Sequence, residues 1–162
     1  MATEYDVAQV CLNGHVINEL STAFPETNQK YCGSCGKQTI TACPNCHASI
    51  RGRMRPGSDF FDTSEYRPPA YCGDCGQALP WTQSYLAAAQ ELADIVDSLS
   101  TDEREILKGT LPDLVAITPR TPVAEMRFKQ LMKKAGQGVA GAFRTILIDI
   151  VSEAVRKSLF RP

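Results

Sequence analysis

The sequence has no run approaching the ~20 consecutive apolar residues that a membrane-crossing helix requires, so no membrane span is expected. Its opening, Met1-Ala-Thr-Glu-Tyr-Asp6, lacks a basic region followed by an apolar core. No secretory signal is read there, and a cytoplasmic location is the expectation. There is no excess of either charge, with 17 Lys and Arg against 18 Asp and Glu. Neither half is the strongly basic domain that nucleic-acid binding usually shows. Histidine occurs only twice, and neither His-Glu-x-x-His nor the His-x-Glu…Cys-x-x-Cys pattern of zinc deaminases is present. A thioredoxin-like redox role would place one Cys-x-x-Cys beside a βαβ pattern, and that pattern is missing as well. No nucleophile set can be built without dismantling the cysteine pairs described next, so the chain is not expected to be an enzyme.

What the chain does have is seven cysteines, all in spaced pairs: Cys11-Leu-Asn-Gly-His15, Cys32-Gly-Ser-Cys35, Cys43-Pro-Asn-Cys46 and Cys72-Gly-Asp-Cys75. With His15 they make eight ligands, the number that two four-coordinate zinc ions need. Paired Cys-x-x-Cys units in a reducing compartment point to metal rather than disulfides. Both sites would be closed by protein ligands, which marks the zinc as structural rather than catalytic.

Two of the pairs echo each other, Tyr31-Cys-Gly-Ser-Cys-Gly-Lys37 against Tyr71-Cys-Gly-Asp-Cys-Gly-Gln77. Each reads as a zinc knuckle closing a site, which leaves Cys11/His15 and Cys43/Cys46 to open them. Asn13-Gly14 supplies the tight turn that lets Cys11 and His15 reach one ion. The gaps between successive pairs are 16, 7 and 25 residues. Sequential ribbons would join the first pair to the second and the third to the fourth. A cross-brace, as in RING-type recruiting domains, would interleave them. The repeated closing knuckle favours the sequential order.

These motifs, with Ile50-Arg-Gly52 and Pro80-Trp81-Thr82, resemble double zinc-ribbon proteins. Specifically, the chain is similar to an uncharacterised bacterial family with two zinc ribbons followed by a helical tail. The resemblance implies zinc and a bacterial origin, and it carries no activity to transfer. His47 is the spare ligand-type residue, standing where the echoing knuckles have Gly36 and Gly76. With both sites already full it reads as a surface-turn residue.

Between Cys46 and Cys72, Arg51, Arg53, Arg55 and Arg67 are interleaved with Phe60, Phe61 and Tyr66. Such a mixture can stack on and clamp single-stranded nucleic acid, or contact a protein partner. The plainer reading is an extended hairpin whose aromatics pack on the metal knuckle. Residues 1–80 hold six basic against eight acidic side chains. Closed zinc sites of three and four thiolates add about −3 more, so the loaded half sits near −5 and argues against nucleic acid.

After Trp81 the texture becomes helical, without cysteine or histidine. The expected organisation is a double zinc-ribbon domain over 1–80 and a helical domain of three to five helices over 81–162. The fold class is therefore small zinc-stabilised β plus an all-α C-terminal region. Thr82 is expected to cap the first helix, and Ser100-Thr-Asp-Glu103 reads as a capping box. The helix it opens should stop at Gly109, with Ile106 and Leu107 inside. Thr121 and Pro122 read as the cap and first residue of another helix through Lys134, ended by Gly136. One long last helix is read over about Val139 to Phe160, with a wide apolar face from Phe143 to Val155 and with Ile148 on the polar side, which points to a second contact surface. So modest a bundle is expected to assemble with a copy of itself or with a protein partner. The resulting expectation is a zinc-binding, non-catalytic adaptor, with a nucleic-acid-binding ribbon protein or a RING-like recruiting domain as alternatives.

Overall fold

The computed structural model describes residues 4–55 and 64–161. Two compact units divide the chain at Gln83/Ser84. The first is built from five short strands: β1 (Tyr5–Val7), β2 (Gln9–Cys11), β3 (Val16–Asn18), β4 (Thr39–Ile40) and β5 (Arg51–Met54). β1 pairs antiparallel with β5, whereas β2 is the centre of a three-stranded antiparallel sheet with β3 and β4. Tyr5 to Val10, whose weak alternation reads in the sequence as one short strand leading into Cys11, is thus two strands serving two sheets. Ala8, fully buried between them, donates its amide to the Ile50 carbonyl at 2.9 Å and ties the sheets together.

Strands of two to four residues bury few large side chains, so the unit relies on other ties. Asp6 provides one. Its carboxylate accepts from the Val7 amide (2.6 Å), the Thr22 amide (2.9 Å) and hydroxyl (2.6 Å), and the Ala23 amide (3.1 Å). The Arg55 guanidinium adds a contact at 3.2 Å. Burial pushes the Asp6 carboxyl up, but these donors outweigh it and hold it at about 2.

Trp81, Thr82 and Leu79 supply the largest apolar plug. The Trp81 ring is 2% exposed and donates from Nε1 to the Pro69 carbonyl at 2.9 Å. It packs so closely on the Asn13-Gly14 turn that a Cβ at Gly14 would lie 2.9 Å from its own Cβ. Thr82 is not a helix cap. Its hydroxyl donates to the Ala70 carbonyl at 2.8 Å, and α1 (Pro80–Asp94) begins two residues earlier, on a proline whose missing N–H leaves nothing unpaired.

The second unit holds the rest of α1 with α2 (Thr101–Val115), α3 (Thr121–Ala135), α4 (Gln137–Leu147) and α5 (Glu153–Phe160). Ser100 and Glu103 form the capping box at the head of α2 as expected. Gly109 does not end that helix, which runs on through Pro112. Leu107, Thr110, Leu111, Leu114 and Val115 form a continuous buried stripe across both breakers, while Ile106 is half exposed. Burying that stripe outweighs the helix penalties of one glycine and one proline. Thr121, expected as the cap of α3, already lies inside that helix, and Arg120 stands at its cap position.

The last helix is also not continuous. Ser152 accepts from the Val155 amide at 3.3 Å and caps α5, while the amides of Ile150 and Val151 both turn back to the Leu147 carbonyl. Ile150 and Val151 are both buried at the break. Phe128 of α3 is central to this core, edge-on to Phe143 (5.8 Å between centroids) and Phe160 (6.2 Å).

Candidate metal centres

Three of the four ligand pairs adopt the same local turn, and the reason is backbone hydrogen bonding around the first cysteine. Its amide takes the carbonyl five residues on, and its carbonyl takes the amide four residues on. These are Cys32 with Lys37 and Gly36, Cys43 with Ala48 and His47, and Cys72 with Gln77 and Gly76, at 2.8–2.9 Å throughout. The turn requires a left-handed residue after the second cysteine. Gly36 and Gly76 supply it with φ of 73° each, and His47 is forced to φ 65°. His47 is therefore a conformational misfit at a glycine position, and it belongs to neither ligand cluster. The fourth pair turns differently: Gly14, at φ 86°, donates to the Cys11 carbonyl, and Cys11 donates to the His15 carbonyl.

These turns bring Cys11, His15, Cys32 and Cys35 into one cluster and Cys43, Cys46, Cys72 and Cys75 into another, with all ligand atoms in each within 4.8 Å of one another. The order is sequential, not interleaved. Zn–S bonds of ~2.3 Å and Zn–N bonds of ~2.0–2.1 Å at tetrahedral angles demand S···S edges of about 3.8 Å and S···N edges of about 3.6 Å. The observed edges are 3.7 Å (Cys11–Cys35), 3.8 Å (Cys43–Cys75) and 3.6 Å (Cys46–Cys72). His15 Nδ1 lies 3.5 Å from the sulfurs of both Cys11 and Cys32. Sulfur and imidazole donors at tetrahedral spacing fit zinc.

The surroundings favour thiolates. The His15 and Ser34 amides point at the Cys11 and Cys32 sulfurs at 3.3 and 3.4 Å. The Lys37 amide, with His15 and the Asn13 side chain, pulls the Cys35 thiol down to about 6. The Asn45 side chain and the Gln77 amide do the same for Cys75, also to about 6. Burial instead lifts Cys11 to about 11. At Cys46 the Ala48 amide pulls downward, but burial and the three neighbouring sulfurs prevail and raise the thiol to about 12. Each cluster thus pairs a ready thiolate with a reluctant one that needs a cation at the centre before it ionises.

Asn13 reads from the sequence only as a turn former and Asn45 not at all, although a signal for their support of the ligands was there. Each stands two residues after the cysteine that opens its site, as Cys11-Leu-Asn13 and Cys43-Pro-Asn45, and each supports the last cysteine of that site. Asp6 was missed for a plainer reason: its donors at 22–23 and 55 are distant in sequence.

The arginine-bearing segment does not form a free basic face. Arg53 holds Glu19 in a two-pronged contact (2.6 and 3.1 Å) and donates to the Ser64 carbonyl at 2.7 Å. Arg55 is divided between Asp6 and Glu4, at 3.2 and 3.3 Å. The guanidinium of Arg51 lies 3.6 Å over the Tyr5 ring. Arg67 pairs with Glu65 at 3.6 Å. Tyr66 donates to the Arg51 carbonyl, and its hydroxyl is raised to about 12 by burial and by Glu19. Phe60 and Phe61 lie outside the described residues.

No helix among the described residues is long and apolar enough to cross a membrane. A family model described as "Uncharacterized protein conserved in bacteria (DUF2321)" matches residues 4–159, and the chain belongs to that family. No curated protein and no solved structure matches it.

Proposed function

We propose that this member of a bacterial protein family is a two-zinc, non-catalytic adaptor whose metal ions hold a small scaffold in shape for contacts with other proteins. The observation that carries the reading is the closure of both clusters: four side-chain ligands each, at tetrahedral spacing. Cys11, His15, Cys32 and Cys35 would hold one ion, and Cys43, Cys46, Cys72 and Cys75 the other. A bound zinc there would supply folding free energy, about 10 kcal/mol or more per site in small metal domains. With no position left for water or substrate, the site supports no Lewis-acid role. The scarcity of other core in the first unit supports the same view.

The assembly half of the proposal is a homodimer or a hetero-complex through the helices. Exposed Ile117, Met126 and Val123 support it, at 81, 60 and 47% exposure. Against a nucleic-acid role stands the engagement of Arg51, Arg53, Arg55 and Arg67 by residues of the chain itself. Titration of the zinc-loaded protein with single-stranded DNA and RNA at 50 and 200 mM salt separates the readings. The adaptor reading expects no binding above background at either salt. Tight binding that weakens by orders of magnitude between the two would replace it with the nucleic-acid reading.

A further inference from the structure

The helical unit carries a groove of about 900 Å³ lined by α3 and α4, with Leu159 and Phe160 of α5 and the following Arg161. Its walls are two-turn helical faces: Met126, Lys129 and Lys133 on α3, and Gln137, Ala140, Gly141 and Arg144 on α4. Phe128, Met132 and Phe160 form an apolar floor. The volume lies in the range of small-molecule sites, which typically combine an apolar lining with a few placed polar groups.

Charge is distributed unevenly around it. Elsewhere in this unit Arg104, Lys108, Arg120, Lys134, Arg156 and Lys157 each hold a carboxylate within 4.0 Å, and Arg127 is the one cation away from the groove with no such partner among the described residues. Lys129, Lys133 and Arg144 have no acidic partner among the described residues, and all three line the groove. Arg161, only 4.0 Å from Glu153, completes the rim. No Asp or Glu lines it. In a chain of net charge −1, unpaired cations gathered at one apolar recess are a local electrostatic anomaly.

We propose that this groove binds a small anionic amphiphile, its apolar body on Phe128, Met132 and Phe160 and its acidic head between Lys129, Lys133 and Arg144. Gly141 helps make the room, since a Cβ placed on it meets nothing within 4 Å. The proposal is independent of the metal reading, because every residue it uses lies in the helical unit.

The test uses the full-length, zinc-loaded protein with sub-micellar dodecanoate, followed by displacement of the fluorescent anion 1-anilinonaphthalene-8-sulfonate. Dodecyltrimethylammonium serves as the cationic control. Saturable one-to-one binding of dodecanoate but not of the cation is expected. The double variant Lys129→Glu/Lys133→Glu should weaken it by about tenfold or more, since charge-assisted contacts to the head are lost. Gly141→Leu should fill the groove and abolish binding while the helical circular dichroism and melting temperature are retained. Equal binding of the cation, or undiminished binding by both folded variants, would overturn the proposal. So would no saturable binding, or binding only to vesicles of anionic lipid.

Discussion

Replacing Asp6 by Asn puts an amide into a recess furnished only with donors. The carboxylate receives two amides and the hydroxyl from residues 22 and 23, the Val7 amide and the Arg55 guanidinium. Its carboxyl is held at about 2 against an ordinary 3.8, which corresponds to about 2 kcal/mol of stabilisation at neutral pH. An Asn side chain keeps one acceptor, but its NH₂ must face the Ala23 amide or Arg55, so about 1 kcal/mol more is lost to an unpaired donor. The expected total is about 3 kcal/mol. Trp81 is the sole tryptophan and is buried in the same unit, so its fluorescence reports that unit's unfolding. With a urea slope of about 1 kcal/mol/M for a unit this size, the midpoint of zinc-loaded Asp6→Asn should fall by about 3 M at pH 7. Thr22→Val, which removes a single donor, should cost about 1 kcal/mol. The pH matters. The folded carboxyl is depressed, so its contribution is complete above about pH 4 and lost between 4 and 2. A midpoint within about 0.5 M of the parent protein would refute the reasoning.

His47→Gly should stabilise the first unit by about 0.5–1 kcal/mol, because the left-handed cost of a side chain exceeds glycine's extra chain entropy. His47→Ala should leave zinc content at its full value, as read by elemental analysis; a lost ion would make His47 a ligand. Gly14→Ala combines φ 86° with the close approach to Trp81, so it should cost more than about 2 kcal/mol and red-shift the tryptophan emission. Phe128→Ala should cost about 3–5 kcal/mol in the helical unit, followed by far-ultraviolet circular dichroism, with Trp81 emission unchanged.

The ligand clusters were legible in the sequence because metal sites of this kind are local. A Cys-x-x-Cys turn is written within six residues, and its echo at 31–37 and 71–77 fixes the order of closing pairs. His47 was legible as the odd residue of its knuckle, and the structure gives the reason: it occupies a backbone state that suits glycine. The capping box at Ser100 and the stop at Gly136 were equally local. What could not be read were the choices made by packing over distance. Gly109 looks like a stop, and Pro112 like the opening of a separate turn, until the stripe from Leu107 to Val115 is seen buried. Thr82 looks like a cap until Ala70 is found opposite its hydroxyl. The split at 148–152 was hidden because Leu147, Ile150, Val151 and Val155 keep helical spacing across it, so the apolar pattern runs on where the helix does not. Arg51, Arg53 and Arg55 looked available because their partners, Tyr5, Glu19 and Asp6, come long before them in the chain.

The central claim is that two zinc ions each occupy one sequential four-ligand cluster, and native mass spectrometry of three proteins tests it most directly. The parent chain should carry two zinc ions. Cys11→Ser/Cys35→Ser, with both changes in one cluster, should carry one. Cys35→Ser/Cys75→Ser, with one change in each, should carry none or bind both weakly. No tightly bound metal in the parent, or loss of both ions from Cys11→Ser/Cys35→Ser while the variant remains folded, would contradict the account.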